Sequence, residues 1–200
     1  MNNIEKRYIT AEIRALEESR MISGLAIPSE SRSELLNNTF YETISKDALN
    51  DDLISSMDVK LYVNHDASQG TFARSKYGKG SLRLFITDRG LEFETELPNT
   101  SSGDELLEGI RRGDYDALSF AFVPDVDEWS ANRDGTYNRT IRSFSLLDEI
   151  SILSCTPAYS ATEVNTRSLE DFKAEEEAKK AQLIASLDAK LKEIDEISKT

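Results

Sequence analysis

A single histidine, His65, stands in the stretch VKLYVNHDAS, at the end of an apolar, strand-like run and directly before Asp66. A serine hydroxyl is a poor nucleophile near neutral pH and needs a base to take its proton. Histidine is the usual base because imidazole titrates in that range. Any Ser–His chemistry in this chain must therefore use His65; the competing reading is an ordinary polar residue at a strand end. Most serines lie in polar loops or helix starts, but Ser119 sits in ALSFAF, among Leu118, Phe120, Ala121 and Phe122. On a strand, Ser119 and Ala121 share one face and the two phenylalanines the other. Ser119 is either a nucleophile with a small neighbour that leaves room for a substrate, or a buried serine bonded to nearby backbone. A third group should orient the imidazole and stabilise its charged form. LLDEISILS places Asp148 and Glu149 in an apolar strand. Strict alternation sets Glu149 opposite Ile150 and Ile152 and gives Asp148 their face. Glu149 then looks toward solvent or a cleft, and spacing does not choose.

Other chemistries find less support. One cysteine and one histidine exclude a Cys/His zinc site, and no cofactor is expected. The glycines of KYGKGSLR lack the strand-to-helix context of a phosphate loop. Cys155, between apolar runs, reads as inert packing, and it fits a reducing compartment. No spacing singles out a pair of catalytic carboxylates. The 200 residues carry a net charge of −13, which disfavours nucleic acid as a partner because phosphate binding needs clustered lysine and arginine. No apolar run approaches the ~20 residues that span a bilayer, so no membrane association is expected, and the N-terminus lacks a secretory apolar core.

The elements that must position these residues are mostly strands. RYITAEIRALE alternates, with Ile9, Ala11, Ile13 and Ala15 on one face, and MISGLAIP follows, so the opening reads as an antiparallel pair. ISKDALNDDLISS reads as a short helix capped by Ser45, with Ala48, Leu49 and Leu53 inward. Hairpins are expected at Asp88-Arg89-Gly90 and Asp134-Gly135. TSSGDELLEGIRRGD is a helix with capping-box spacing at Ser102 and Glu105, an apolar face of Leu106, Leu107 and Ile110, and a terminal Gly113. Pro157 ends the last strand. The fold class expected is mainly β with α (α+β): an antiparallel β-barrel flanked by helices, plus a C-terminal amphipathic helix. A domain over residues 1–165 and a tail over 166–200 follow from the shift to Ala, Glu, Lys and Leu near Ser168. In the tail, Leu183, Leu187, Leu191, Ile194 and Ile197 form one helical stripe. The tail reads as a docked helix or weak coiled coil, a tether, or a removable segment.

Read in order, these segments resemble the Caudovirus prohead serine protease family over roughly residues 7–165. EIRALE…ISGLAIP looks like the family's opening strand pair, and FYETISKDAL like its F-x-E-x-I stretch. DVKLYVNHD matches the catalytic-histidine motif, and GSLRLFITDRGLEFETELPNT the strand pair after it. LLEGIRRGDYDALSFAF matches the helix and catalytic-serine motif, and LLDEISILSCTPAY the strand written E-V/I-S-I/L and ending in P-A-Y. Two departures stand out: SFAF replaces the common S-F-G-F, and Ser154-Cys155-Thr156 replaces a threonine-rich segment.

The resemblance implies His65 as base, Ser119 as nucleophile and Glu149 as third member, with Asp148 or a dyad as alternatives. The related herpesvirus assemblin fold uses a second histidine there, which this chain lacks. It also implies a serine endopeptidase of capsid maturation acting in the host cytoplasm, inside the assembling procapsid. Its partners would be the major capsid protein or scaffolding protein as substrate, and the protease would also cleave itself; a homo-oligomer is left open. The alternative is a non-catalytic assembly or scaffolding protein acting through its C-terminal helix.

Overall fold

The computed structural model describes residues 4–10, 13–154 and 167–197. The chain separates into two compact units, Met1–Val164 and Asn165–Thr200.

The first unit is built on two sheets. The larger contains β1 (Glu5–Thr10), β4 (Phe40–Ile44), β5 (Asp58–Val63), β6 (Ala73–Lys76), β7 (Lys79–Gly80), β10 (Ala117–Ala131) and β11 (Tyr137–Leu153). Its order is β1-β10-β11-β5-β6-β7, with β4 also paired to β11. The smaller contains β2 (Ile13–Ala15), β3 (Met21–Pro28), β8 (Arg83–Thr87) and β9 (Gly90–Glu96), in the order β2-β3-β9-β8. Both expected hairpins form, as β8–β9 and β10–β11. Gly90 is required at the first: its φ is 132°, and a Cβ there would lie 2.0 Å from the Ile27 carbonyl oxygen.

The molecule is α+β, but the described strands pair as two open sheets and no closed barrel is found among them. Nor is the larger sheet wholly antiparallel. β10 occupies one edge of the long β11; β4 and β5 share the other, both parallel to it. The opening pair differs too. β2 does pair with β3, but β1 belongs to the other sheet and pairs with β10. The buried residues at the start of β1 are Glu5 and Arg7, which no hydrophobic pattern marks.

Those two residues join Glu42, Asp127 and Arg139 in a buried ion cluster. Arg7 donates to Glu5 and Glu42 at 2.5–2.7 Å; Arg139 donates to Glu5 at 2.7 Å and to Asp127 at 2.6 Å. Burial works against the Arg7 and Arg139 cations, but their carboxylate partners outweigh it and hold both guanidiniums above the ordinary arginine range. The cluster ties β1, β4, β10 and β11 together.

One apolar core links the sheets to the helices. It contains Val59, Leu61, Phe120, Phe122, Ile150 and Ile152 from the larger sheet and Ile22, Ile27 and Phe93 from the smaller. Helix α1 (Asp51–Ser55) adds Ile54; α2 (Ser101–Arg112) adds Leu106, Leu107 and Ile110. The expected single helix after Ser45 is instead a 3-10 turn, Lys46–Ala48, followed by α1. Asn50, not Ser45, caps α1 by accepting the Leu53 N–H at 2.9 Å. For α2 the cap is Thr100, which accepts the Gly103 N–H at 3.2 Å; Ser102 is already helical. Gly113 ends α2 in the left-handed region, as expected.

In the second unit, α3 (Arg167–Ile197) is one long helix. Leu183, Ile184, Leu187, Leu191 and Ile194 are each at least half exposed. The side chain of Ile197 lies outside the described residues, as do Cys155 and the P-A-Y segment. No helix among the described residues is long and apolar enough to cross a membrane.

Candidate active site

β5 delivers His65. Val59, Leu61 and Val63 face the core, so Asp58, Lys60 and Tyr62 face the other way. Beyond Val63 the chain reverses: the Asp66 N–H donates to the Val63 carbonyl at 3.0 Å. Both central residues are left-handed, Asn64 at φ 51° and His65 at φ 57°, the form of a type I′ turn. Asparagine tolerates this region readily; histidine does so at some cost. Three bonds to β11 and its end hold the turn. The Asn64 N–H donates to the Ile152 carbonyl at 2.9 Å, the His65 N–H to Ser151 Oγ at 2.8 Å, and the Ser154 N–H to Asn64 Oδ1 at 3.1 Å. Asp66 then caps a short 3-10 turn, and hydrogen bonds from the Ser68 hydroxyl, Gln69 and the Ser68 N–H hold its carboxylate below the ordinary aspartate range.

β10 and β11 carry the remaining groups in two adjacent rows. Tyr8, Ser119 and Ser151 are register partners across β1, β10 and β11; Lys6, Ala121, Glu149 and Lys60 form the next row, reaching β5. Register partners point to the same face, so Ser119 and Glu149 share a surface. Phe120 and Ile150 turn into the core behind them, as alternation predicts.

The imidazole closes over these rows. Its Nδ1 is hydrogen-bonded to Glu149 Oε1. The ring also meets the Tyr8 ring in a T-shaped contact, centroids 5.8 Å apart. Glu149 and Tyr8 stand on the strands flanking β10. Tyr8 and Ser151, which both contact His65, are the register partners of Ser119 on its two sides. Glu149 occupies Nδ1, which leaves Nε2 as the free nitrogen. His65 Nε2 and Ser119 Oγ are both buried and have no hydrogen-bond partner. Ser119 itself is wholly buried.

Asp148 does not take the core face that alternation assigned to it. Ala121 pairs with Glu149, but Phe122 pairs with Leu147, so Asp148 is the extra residue of a β-bulge. The bulge turns it outward, where it accepts from Lys60 Nζ at 2.7 Å. Burial lowers the affinity of Lys60 for its proton, but the hydrogen bond and charge of Asp148 outweigh this and hold it above the ordinary lysine range. Of the four residues singled out in the sequence, His65 and Glu149 are in direct contact, Ser119 lies on the same face of the sheet as Glu149, and Asp148 pairs with Lys60. Sequence reasoning from single residues missed Ser151, Asn64 and Tyr8. Ser151 was visible only as the serine of the E-V/I-S-I/L stretch; Asn64 before His65 was a left-handed-turn signal.

No curated protein matches the sequence. The solved structure of the bacteriophage T4 capsid assembly protease, gp21, is similar with a TM-score of 0.45 at 13% identity, over 76% of this chain and 96% of that one. The family model described as Caudovirus prohead serine protease matches residues 9–175. That match spans most of the sequence, and the chain accordingly belongs to the Caudovirus prohead serine protease family, the serine proteases of phage capsid maturation.

Proposed function

We propose that Ser119, His65 and Glu149 are the nucleophile, base and orienting acid of this protease. The observation that supports the reading is a pair of orphans: a buried imidazole nitrogen, on a ring whose other nitrogen is held by a carboxylate, and a buried hydroxyl whose register partners Tyr8 and Ser151 both contact His65. Ser119 Oγ would attack the scissile carbonyl while His65 Nε2 takes its proton. Glu149 fixes the tautomer with the proton on Nδ1 and stabilises the imidazolium that forms. The imidazolium then protonates the departing amine, and water, activated by the same nitrogen, releases the acyl-enzyme. Neither Ser119 Oγ nor His65 Nε2 has a hydrogen-bond partner here, and such catalytic bonds often tighten only in the substrate complex. Because Ser119 is fully covered, a peptide reaches it only after neighbouring groups move aside.

The substrates we infer are the scaffolding protein, or the scaffolding part of the major capsid protein, cleaved inside the procapsid, together with the protease itself. Co-expression with the capsid proteins tests this. Wild type is expected to process them and Ser119→Ala to leave them intact; equal processing by both would remove Ser119 from the mechanism. Self-cleavage is tested by intact mass, comparing wild type with Ser119→Ala; identical masses under active conditions would overturn it. The expected junction in EVNTRSLED begins outside the described residues.

The exposed apolar stripe of α3 supports a second role, as a tether to an assembly partner. Deleting residues 168–200 is expected to cost incorporation into particles while peptidase activity is retained. Unchanged incorporation would exclude the tether.

A further inference from the structure

The row that holds Glu149 also holds a competitor for it. Lys60 on β5 is the register partner of Glu149 on β11. Such partners share a face with Cβ atoms about 5 Å apart, well within reach of a lysine side chain. An ammonium is a stronger partner for a carboxylate than a neutral imidazole N–H is. Left alone, Lys60 would therefore draw Glu149 away from the ring. Yet Lys60 Nζ bonds Asp148, and Glu149 bonds His65 Nδ1. The bulge makes this division of partners available, because without it Asp148 would face the core. Asp58, the other carboxylate near Lys60, accepts instead from Arg74 Nε at 2.6 Å. The charged and titratable groups on this face and beside it are thus Lys6 and Tyr8 on β1, Lys60 and Tyr62 on β5, Asp148 and Glu149 on β11, and Asp66 next to His65.

We propose that Asp148 is a positioning residue that keeps Lys60 off Glu149, so that Glu149 remains bound to His65. The proposal rests on the Ser119–His65–Glu149 reading. It differs from a plain half-exposed ion pair, which would stabilise the fold slightly and leave the imidazole untouched.

The single histidine makes the test clean, because the full-length protein can give only one carboxylate-bonded imidazole proton in its NMR spectrum. That strongly downfield Nδ1 proton is expected in wild type and lost in Glu149→Gln. In Asp148→Asn it should be lost or moved upfield, and labelling of Ser119 by a fluorophosphonate should slow on the order of tenfold, as when an outer orienting partner is removed. Adding Lys60→Met to Asp148→Asn should restore both readouts to within about twofold of wild type. Asp148 is one-third exposed, so the substitution should be tolerated; should the Asn variant not fold, Asp148→Ser with the same Lys60→Met partner gives the same readouts. A downfield signal that survives in the Asp148 variant would overturn the proposal. So would a double variant as impaired as the single one, since Asp148 would then act without Lys60. A signal that survives Glu149→Gln would instead overturn the triad reading itself.

Discussion

The hydroxyl of Ser151 accepts the backbone N–H of His65 at 2.8 Å, although 86 positions separate them in sequence. Ser151 is also the register partner of Ser119, so one buried side chain braces the proposed base beside the proposed nucleophile. Ser151→Ala removes the acceptor from a residue already held in the left-handed region. We expect a stability loss of about 1–2 kcal/mol for the unpaired donor, measured by urea denaturation. We also expect a loss of cleavage rate of roughly 10²-fold from misplacement of the ring. Asn64→Gly should cost only about 1 kcal/mol, for the lost bond from the Ser154 N–H, and Asn64→Val should be more damaging, because only the first accepts φ 51° without strain.

Ser119→Ala separates function from stability. Cleavage should fall by at least ~10⁴-fold, as when a member of a cooperating triad is removed. Stability should hold or rise by up to about 1 kcal/mol, because the variant deletes a buried hydroxyl that has no partner. An unchanged or higher Tm by calorimetry, together with lost activity, is the expected pair of results.

The buried ion cluster behaves in the opposite way. Arg139→Ala removes one of the two arginines shared by Glu5 and Glu42, which it contacts at 2.7 and 3.1 Å, and leaves two buried carboxylates on Arg7. Breaking such a site by removing one partner costs about 3–5 kcal/mol. The denaturation midpoint should drop accordingly. Amide exchange in β1 should speed up most, since the cluster anchors that edge strand.

Asp66 gives a pH-dependent prediction. Its carboxylate is held below the ordinary aspartate range by hydrogen bonds from Ser68 and Gln69. A depressed folded-state value means that the ionised form stabilises the fold. That contribution is complete above about pH 4 and is lost as pH falls through the folded-state value. Asp66→Ala should therefore lower the denaturation midpoint at pH 7 and have little effect at the acid end, where the wild-type carboxyl is already protonated.

Much of this arrangement was legible in the sequence, and the residues show why the rest was not. Asp88-Arg89-Gly90, Asp134-Gly135 and Gly113 announce local geometry, and the hairpins and the end of α2 lie where they indicate. Ser119 and Glu149 were placed on the correct faces because β10 and β11 alternate around them. The parallel pairing of β4 and β5 with β11 joins segments about 90 residues apart and has no local signature. Glu5 and Arg7 were not singled out, because their burial depends on partners at positions 42 and 139. Asp148 was assigned the wrong face because one extra residue in a strand changes the alternation without changing composition.

That extra residue also limits how β11 can change over generations. Between Leu147 and Ser151 the strand has a single workable phase, with isoleucine inward and the acid and serine outward. Losing one position, or gaining another, would exchange the two sets at a stroke, burying Glu149 in the core and turning Ile150 toward the imidazole. Heritable length changes in this segment must therefore come in compensating pairs, so natural drift here should proceed by substitution and not by single-codon insertion or deletion.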